Sequence, residues 1–167
     1  MKQLELFPWK PPPKKYRQPQ EWKLVSLREC PSPYRMALCD TPEAAAAYWR
    51  THVVSNPYYT PECESFVVVL LNVRRRILGH HIVSTGILDQ VLVHAREVFR
   101  IAIVGCAHAV VLMHNHPGGD PTPSEADIRT TRDLIRAGQL LKIEVLDHVI
   151  VGTPQTRSLR ELGHFYL

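Results

Sequence analysis

Two imidazoles and a carboxylate stand at metal-ligand spacing in the middle of this chain. They are His114, His116 and Asp127, within V-V-L-M-H-N-H-P-G-G-D-P-T-P-S-E-A-D at 110–127. The short apolar run 109–113 is rich in Val and bounded by turn signals, which predicts a buried strand. Side chains alternate along a strand, so His114 and His116 project from one face at its end. Pro117, Gly118, Gly119, Pro121 and Pro123 predict a tight, stiff loop that delivers Asp127 into the first turn of the next helix. Two His and one Asp with room for a water form the pattern of a catalytic rather than a structural zinc site. Plainer readings exist for each part. Ser124 with Asp127 three residues later is a helix capping pair, and two His at a strand end are ordinary polar rim. The metal reading rests on the joint spacing: His-x-His, seven residues, Ser, two residues, Asp.

That spacing resembles the JAMM signature of JAB/MPN metalloproteases, in which a Glu precedes His-x-His-x7-Ser-x2-Asp. The flanks are more narrowly similar to the RadC family, historically called DNA repair proteins. The matching segments are E-S-F-V-V-V-L-L-N (64–72), V-S-T-G (83–86), R-E-V-F (96–99) and L-D-H-V-I-V-G (146–152), so the resemblance covers about residues 62–167. Gly118 stands where the family usually has Ser, and Ala95 precedes Arg96 where Pro is usual. The helix-hairpin-helix region common at the family's N-terminus has no counterpart in this sequence. The resemblance implies a JAB/MPN-like (cytidine-deaminase-like) sandwich, one zinc per chain and a protein or peptide substrate.

Zinc lowers the pKa of a bound water toward neutrality and polarises a scissile carbonyl. Such a site also needs a carboxylate base near the water that is not itself a ligand. Glu64 opens an apolar strand, as the family's catalytic glutamate does, and is the expected base. Glu62, two residues away on the same face, is the alternative. By the same resemblance, Ser124 is expected to donate to the developing oxyanion, which its capping role permits because a hydroxyl both accepts and donates. The reaction implied is hydrolysis of a peptide or isopeptide bond by a metal-bound hydroxide.

The elements that must hold these residues follow from pattern. Thr41-Pro42-Glu43 is a helix start, and a helix is expected from Ala44 to Val53. The continuous apolar run Phe66 to Val73 predicts a strand buried on both faces, with Arg74-Arg75-Arg76 as a solvated hairpin tip and Ile77 to Ser84 returning. His80 and His81 in that returning strand point to opposite faces. Val91 to Val93 predicts a short bridge. Ala95 to Val104 predicts a helix with Val98, Phe99, Ala102 and Ile103 on its apolar face. After Ser124, Ile128, Thr131, Leu134 and Ile135 form the inner stripe of another helix, with Gly138 as its C-terminal cap. Ile143 to Val151 predicts a strand, and Ser158 to Leu162 a last short helix. Asp147-His148 is a polar pair inside that strand, where burial demands partners. His148 reads as a group orienting a ligand or, more simply, as a satisfied core histidine. The order strand hairpin, helix, strand, helix, strand predicts an α/β fold with a mixed β-sheet flanked by helices.

Charge separates two regions. Seven of the 20 Lys and Arg but only two of the 16 acidic residues lie before residue 29, so the arm is strongly basic. Residues 1–33 are expected to form a basic, Pro-rich N-terminal arm and 34–167 the folded domain. Trp9, Tyr16 and Trp22 among the arm's positive charges suit single-stranded nucleic acid, a partner protein or packing onto the domain, and Trp22 to Leu27 could add an edge strand. The four cysteines show no zinc-finger or disulfide spacing, no apolar run spans a membrane, and no secretory stretch opens the chain. A cytoplasmic protein with free thiols is expected. Two rival classes are a non-catalytic binding module in a DNA-repair or mobile-element complex and a metal-dependent nuclease. The nuclease reading is the weakest, because 105–128 contains no Lys or Arg to cradle phosphate.

Overall fold

The computed structural model describes residues 37–86 and 93–165. The arm at 1–33, the edge strand expected at Trp22 to Leu27 and most of the bridge expected at Val91 to Val93 lie outside the described residues. Among the described residues, the buried apolar residues of the hairpin and of the strand carrying His114 form the centre of a five-stranded sheet. Its strands are β1 (Ser65–Leu71), β2 (Ile77–Thr85), β3 (Ala109–Asn115), β4 (Glu144–Val151) and β5 (Thr156–Ser158). β1 runs antiparallel to β2 and β3, β3 parallel to β4, and β4 antiparallel to β5. The sheet is therefore open and mixed, as the pattern predicts.

Both faces of β1 and β3 are covered. Val67, Val69 and Leu71 of β1 and Ala109, Val111 and Met113 of β3 pack with Ala45, Tyr48 and Trp49 of the first helix. Phe66, Val68, Leu70, Val110 and Leu112 pack on the opposite face with Val98, Phe99, Ala102, Leu134 and Ile135. Burying each such Val, Leu or Phe contributes about 1.5–3 kcal/mol, so the double layer is the main source of stability. A strand buried on both faces gains nothing from one register over its neighbour, since a one-residue slip only exchanges apolar faces. The polar residues at the strand ends decide the register.

Among the described residues, three α-helices complete the sandwich. α1 (Pro42–Tyr48) starts where expected, with Thr41 Oγ1 accepting the Ala44 N–H at 3.2 Å, but its last turn, Trp49–Val53, is π-helical. α2 (Ala95–Val104) buries Val98, Phe99 and Ala102, whereas Ile103, expected on that face, is 55% exposed. α3 (Glu125–Leu141) buries the expected stripe of Ile128, Thr131, Leu134 and Ile135. Gly138 does not cap it. The helix continues to Leu141, and Lys142 closes it at φ 58°. Gly138 instead lets α3 approach the sheet, since a Cβ there would lie 2.5 Å from the Ile143 carbonyl and 3.2 Å from Phe99 and Val145. Ser158 ends β5 rather than starting a helix, and turns occupy 159–165. There Asp147 takes the Ser158 hydroxyl at 2.7 Å and the Arg160 N–H at 3.3 Å, which organises a turn.

Candidate metal centre

The site lies where β3 ends and α3 begins. His114 occupies the β3 position on the α2/α3 face and is 1% exposed. Its register partner on β1 is Phe66, whose ring lies nearly parallel to the imidazole with centroids 6.1 Å apart. His116 lies two residues on, past the strand, and its N–H donates to the Val151 carbonyl at 3.0 Å. The loop then folds back: the Gly119 N–H donates to the His116 carbonyl, with Gly119 at φ 86°. Asp120 accepts the Thr122 N–H and hydroxyl, and its own carbonyl meets His116 Nδ1 at 2.7 Å. A carbonyl only accepts, so His116 carries its proton on Nδ1 and presents a bare Nε2 when neutral.

Asp127 reaches the same point from α3. Ser124 and Asp127 form a complete capping box. The Ser124 hydroxyl accepts the Asp127 N–H at 3.2 Å and donates to Asp127 Oδ2 at 2.6 Å, and the Ser124 N–H donates to the same oxygen at 2.7 Å. The capping reading is thus realised, and the other carboxylate oxygen, Oδ1, lies 3.3 Å from His114 Nε2. The serine's one proton is directed at Asp127, not at open space.

Glu64 arrives by register. Phe66 faces His114 in the last pair of the antiparallel β1/β3 ladder. Beyond that last ladder pair the Asn115 side chain holds Ser65, and Glu64, just ahead of β1, places Oε1 3.6 Å from His114 Nε2. Asn115 secures that extension, its Oδ1 accepting the Ser65 N–H at 2.9 Å and its Nδ2 donating to the Cys63 carbonyl at 3.1 Å.

One donor atom each from Glu64, His114, His116 and Asp127 lies within 4.8 Å of every other, a candidate metal-binding cluster. His114 Nε2 is 3.0 Å from His116 Nε2, 3.3 Å from Asp127 Oδ1 and 3.6 Å from Glu64 Oε1. Ligands about 2.0–2.1 Å from a tetrahedral zinc are roughly 3.3 Å apart, close to both distances from His114 Nε2, while His116 Nε2 lies 3.7 Å from the other Asp127 oxygen, Oδ2. The two imidazole nitrogens face each other at 3.0 Å, and two acceptors at that distance repel unless a proton or a cation lies between them. A cation between them removes that repulsion.

The electrostatics agree. Burial would push the Asp127 carboxyl up, but the facing His114 and His116 imidazoles and the Ser124 hydroxyl outweigh it and hold the group well below the usual carboxylate range. The bond to Asp127 lifts the His116 imidazole above its ordinary value, against the effect of its partial burial. The carboxylate is ionised at any working pH.

Behind the cluster stands His148, which is fully buried and is held neutral chiefly by that burial. Its Nε2 lies 2.8 Å from His114 Nδ1 and its Nδ1 2.6 Å from Thr131 Oγ1, while Thr131 also reaches the Asp127 carbonyl at 2.6 Å. His148 is a satisfied buried histidine whose partner, His114, is a ligand candidate. Asn115, Asp120 and Thr131 are the neighbours that sequence reasoning misses. Only the polar pair Asp147-His148 in an apolar strand signals this inner layer. His80 and His81 do not join the cluster: His80 Nδ1 pairs with the Tyr48 hydroxyl at 2.9 Å.

Residues 39–164 match the RadC-like JAB domain. The chain is 48% identical over 102 residues to a UPF0758 protein of Caldanaerobacter subterraneus subsp. tengcongensis, covering 61% of this chain and 44% of the relative. It is 52% identical over 100 residues to a UPF0758 protein of Symbiobacterium thermophilum, covering 60% of this chain and 43% of that one. A UPF0758 protein of Thermosynechococcus vestitus is 40% identical over 130 residues, 78% of this chain and 50% of its own length. The chain thus spans half or less of these relatives. Its His-x-His, Ser and Asp positions, gathered with Glu64 around one point in a mixed α/β sandwich, agree with the match, and the chain belongs to the RadC-like JAB domain family.

Proposed function

We propose that this domain is a zinc-dependent hydrolase that cleaves a peptide or isopeptide bond in a protein or peptide substrate. His114, His116 and Asp127 hold the metal, Glu64 is the general base and Ser124 the oxyanion donor. The observation that carries this reading is the convergence of four donor atoms within 4.8 Å, from the start of β1, the end of β3 and the first turn of α3. Zinc bound there supplies Lewis acidity for the scissile carbonyl and lowers the pKa of a bound water. Glu64, 12% exposed in its side chain, takes the proton from the attacking water and returns it to the leaving amine nitrogen. Its Oε1, 3.6 Å from His114 Nε2, puts it beside the three residues that would hold the metal. Ser124, whose hydroxyl lies 2.6 Å from Asp127 Oδ2, would donate to the developing oxyanion.

A merely binding module has no need of an ionisable fourth group at this distance, so Glu64 favours the hydrolase over the binding module. No helix among the described residues is long and apolar enough to cross a membrane. Free thiols at Cys39, Cys63 and Cys106 suit a reducing, cytoplasmic setting.

Elemental analysis of the purified protein beside His116→Ala tests the site. About one zinc per chain, lost in the variant, is expected. Absence of metal from the parent after zinc reconstitution overturns the hydrolase. Glu64→Gln should keep its zinc and lose turnover by about 10²–10⁴-fold on any peptide the parent cleaves.

A further inference from the structure

We infer that Thr131 and His148 are positioning residues: they form a one-way hydrogen-bond chain that fixes the tautomer of His114 and keeps its Nε2 bare toward the ligand cluster. The inference rests on reading that cluster as a metal centre. It follows from counting hydrogens along four groups drawn from α3, β4 and β3.

The chain begins at the Asp127 carbonyl, which has no proton to give. Thr131 Oγ1 lies 2.6 Å from it, so the one hydroxyl hydrogen of Thr131 must point there. Thr131 Oγ1 is also 2.6 Å from His148 Nδ1. With its hydrogen already used, the hydroxyl can only accept, so His148 carries a proton on Nδ1. A neutral imidazole has one N–H, which leaves His148 Nε2 as an acceptor. Its partner at 2.8 Å is His114 Nδ1, and that nitrogen must therefore be the donor. His114 then has no hydrogen on Nε2, the atom that lies 3.0 Å from His116 Nε2 and 3.3 Å from Asp127 Oδ1.

The opposite direction fails at its start. It would leave two oxygens 2.6 Å apart with no hydrogen between them, at Thr131 and Asp127. It would also put a proton on His114 Nε2, in the space where the ligand atoms converge. One hydroxyl thus sets the polarity of the whole chain. Because the same hydroxyl anchors to the backbone of Asp127, the chain also ties two ligand candidates on different elements into one unit. Histidine ligands commonly need such a partner, whose loss weakens metal binding by about 10–100-fold.

Thr131→Val and Thr131→Ser test this, since valine keeps the shape and removes the hydroxyl while serine keeps the hydroxyl. Zinc affinity is read by competition with a chromophoric chelator, and the imidazole tautomers by nitrogen-15 NMR of the metal-free, histidine-labelled protein at alkaline pH. The parent and Thr131→Ser should show His114 protonated on Nδ1 and bind zinc alike. Thr131→Val should bind zinc about 10–100-fold more weakly and show His114 protonated on Nε2. Parent-like zinc affinity in a folded Thr131→Val overturns the inference, as does a parent His114 protonated on Nε2. The NMR result stands whether or not zinc binds, so failure of the metal centre is distinguishable from failure of the chain.

Discussion

Asn115 takes the Ser65 N–H on its side-chain oxygen at 2.9 Å, extending the β1/β3 ladder by one pair through a side chain. Its amide nitrogen reaches the Cys63 carbonyl on the other side of Glu64 at 3.1 Å, so one buried amide holds the backbone before and after the proposed base. Asn115→Ala leaves a buried N–H without its partner, which costs about 1–3 kcal/mol. The variant should melt lower, keep zinc within a few-fold and lose more in kcat than in zinc affinity. Asn115→Asp keeps the acceptor and loses the donor, so it should fall between. Zinc loss as complete as in His116→Ala would show that Asn115 holds the ligands rather than Glu64.

Zinc uptake should release a proton from His116. The hydrogen bond to Asp127 raises that imidazole's pKa, so zinc competes with a proton up to a higher pH than at an ordinary histidine. Asp127, held low by both histidines against its burial, is already ionised and adds no slope. Apparent zinc affinity should fall about tenfold per pH unit below the raised His116 value. In metal-free protein the sign reverses. The His116 contribution to stability is fully present below about pH 6.5 and is lost as pH rises through the raised value. Asp127 contributes above about pH 3.9, and that part is lost as pH falls through its lowered value. Calorimetry in buffers of different ionisation enthalpy counts the released proton, and a flat affinity profile between pH 6 and 8 (both about, for a histidine) would contradict the assignment.

Local features were readable from residue order and non-local ones were not. The His-x-His strand end, the Ser124–Asp127 box and the start of α1 each depend on a few adjacent residues, and the structure contains all three. Register is non-local. β1 and β3 are apolar throughout, so alternation cannot tell which residue of one faces which of the other. That left Glu62 and Glu64 as alternatives, and the pairing of Phe66 with His114 brings Glu64 to the cluster. The partners of His148 were hidden for the same reason: they are set by parallel pairing with β3 and by α3 packing. Gly138 resembled a cap because glycine ends helices, but its role is close contact with Ile143 and Val145, which lie beyond the helix.

Gly152 should be as intolerant of a side chain as any residue near the site. A Cβ there would overlap the Gly119 carbonyl and lie 2.9 Å from Pro121 and 3.0 Å from the Gln155 carbonyl. Gly119 also accepts the Thr153 N–H at 2.9 Å, so the loop from 117 to 121 is pressed against the end of β4. Gly152→Ala must push this loop outward, and with it the Asp120 carbonyl that orients His116. Overpacking of this kind costs about 1–3 kcal/mol. A lower melting temperature together with weaker zinc binding is expected. An unchanged zinc affinity would mean that His116 keeps its orientation without the loop.

Ser124 separates two roles that share one hydroxyl. As a helix cap it stabilises α3, and its loss to alanine should lower stability by about 1 kcal/mol. As a donor to Asp127 Oδ2 at 2.6 Å it also fixes the carboxylate that faces His116. As the proposed oxyanion donor it acts only during the reaction, and loss of one such donor lowers kcat by about 10²–10³-fold. Ser124→Ala and Ser124→Thr distinguish these roles, because threonine retains cap and donor alike. If the oxyanion role holds, Ser124→Ala loses far more in kcat than in zinc affinity or melting temperature, and Ser124→Thr recovers part of it. Equal losses in kcat and zinc affinity would assign the hydroxyl to orienting Asp127 alone.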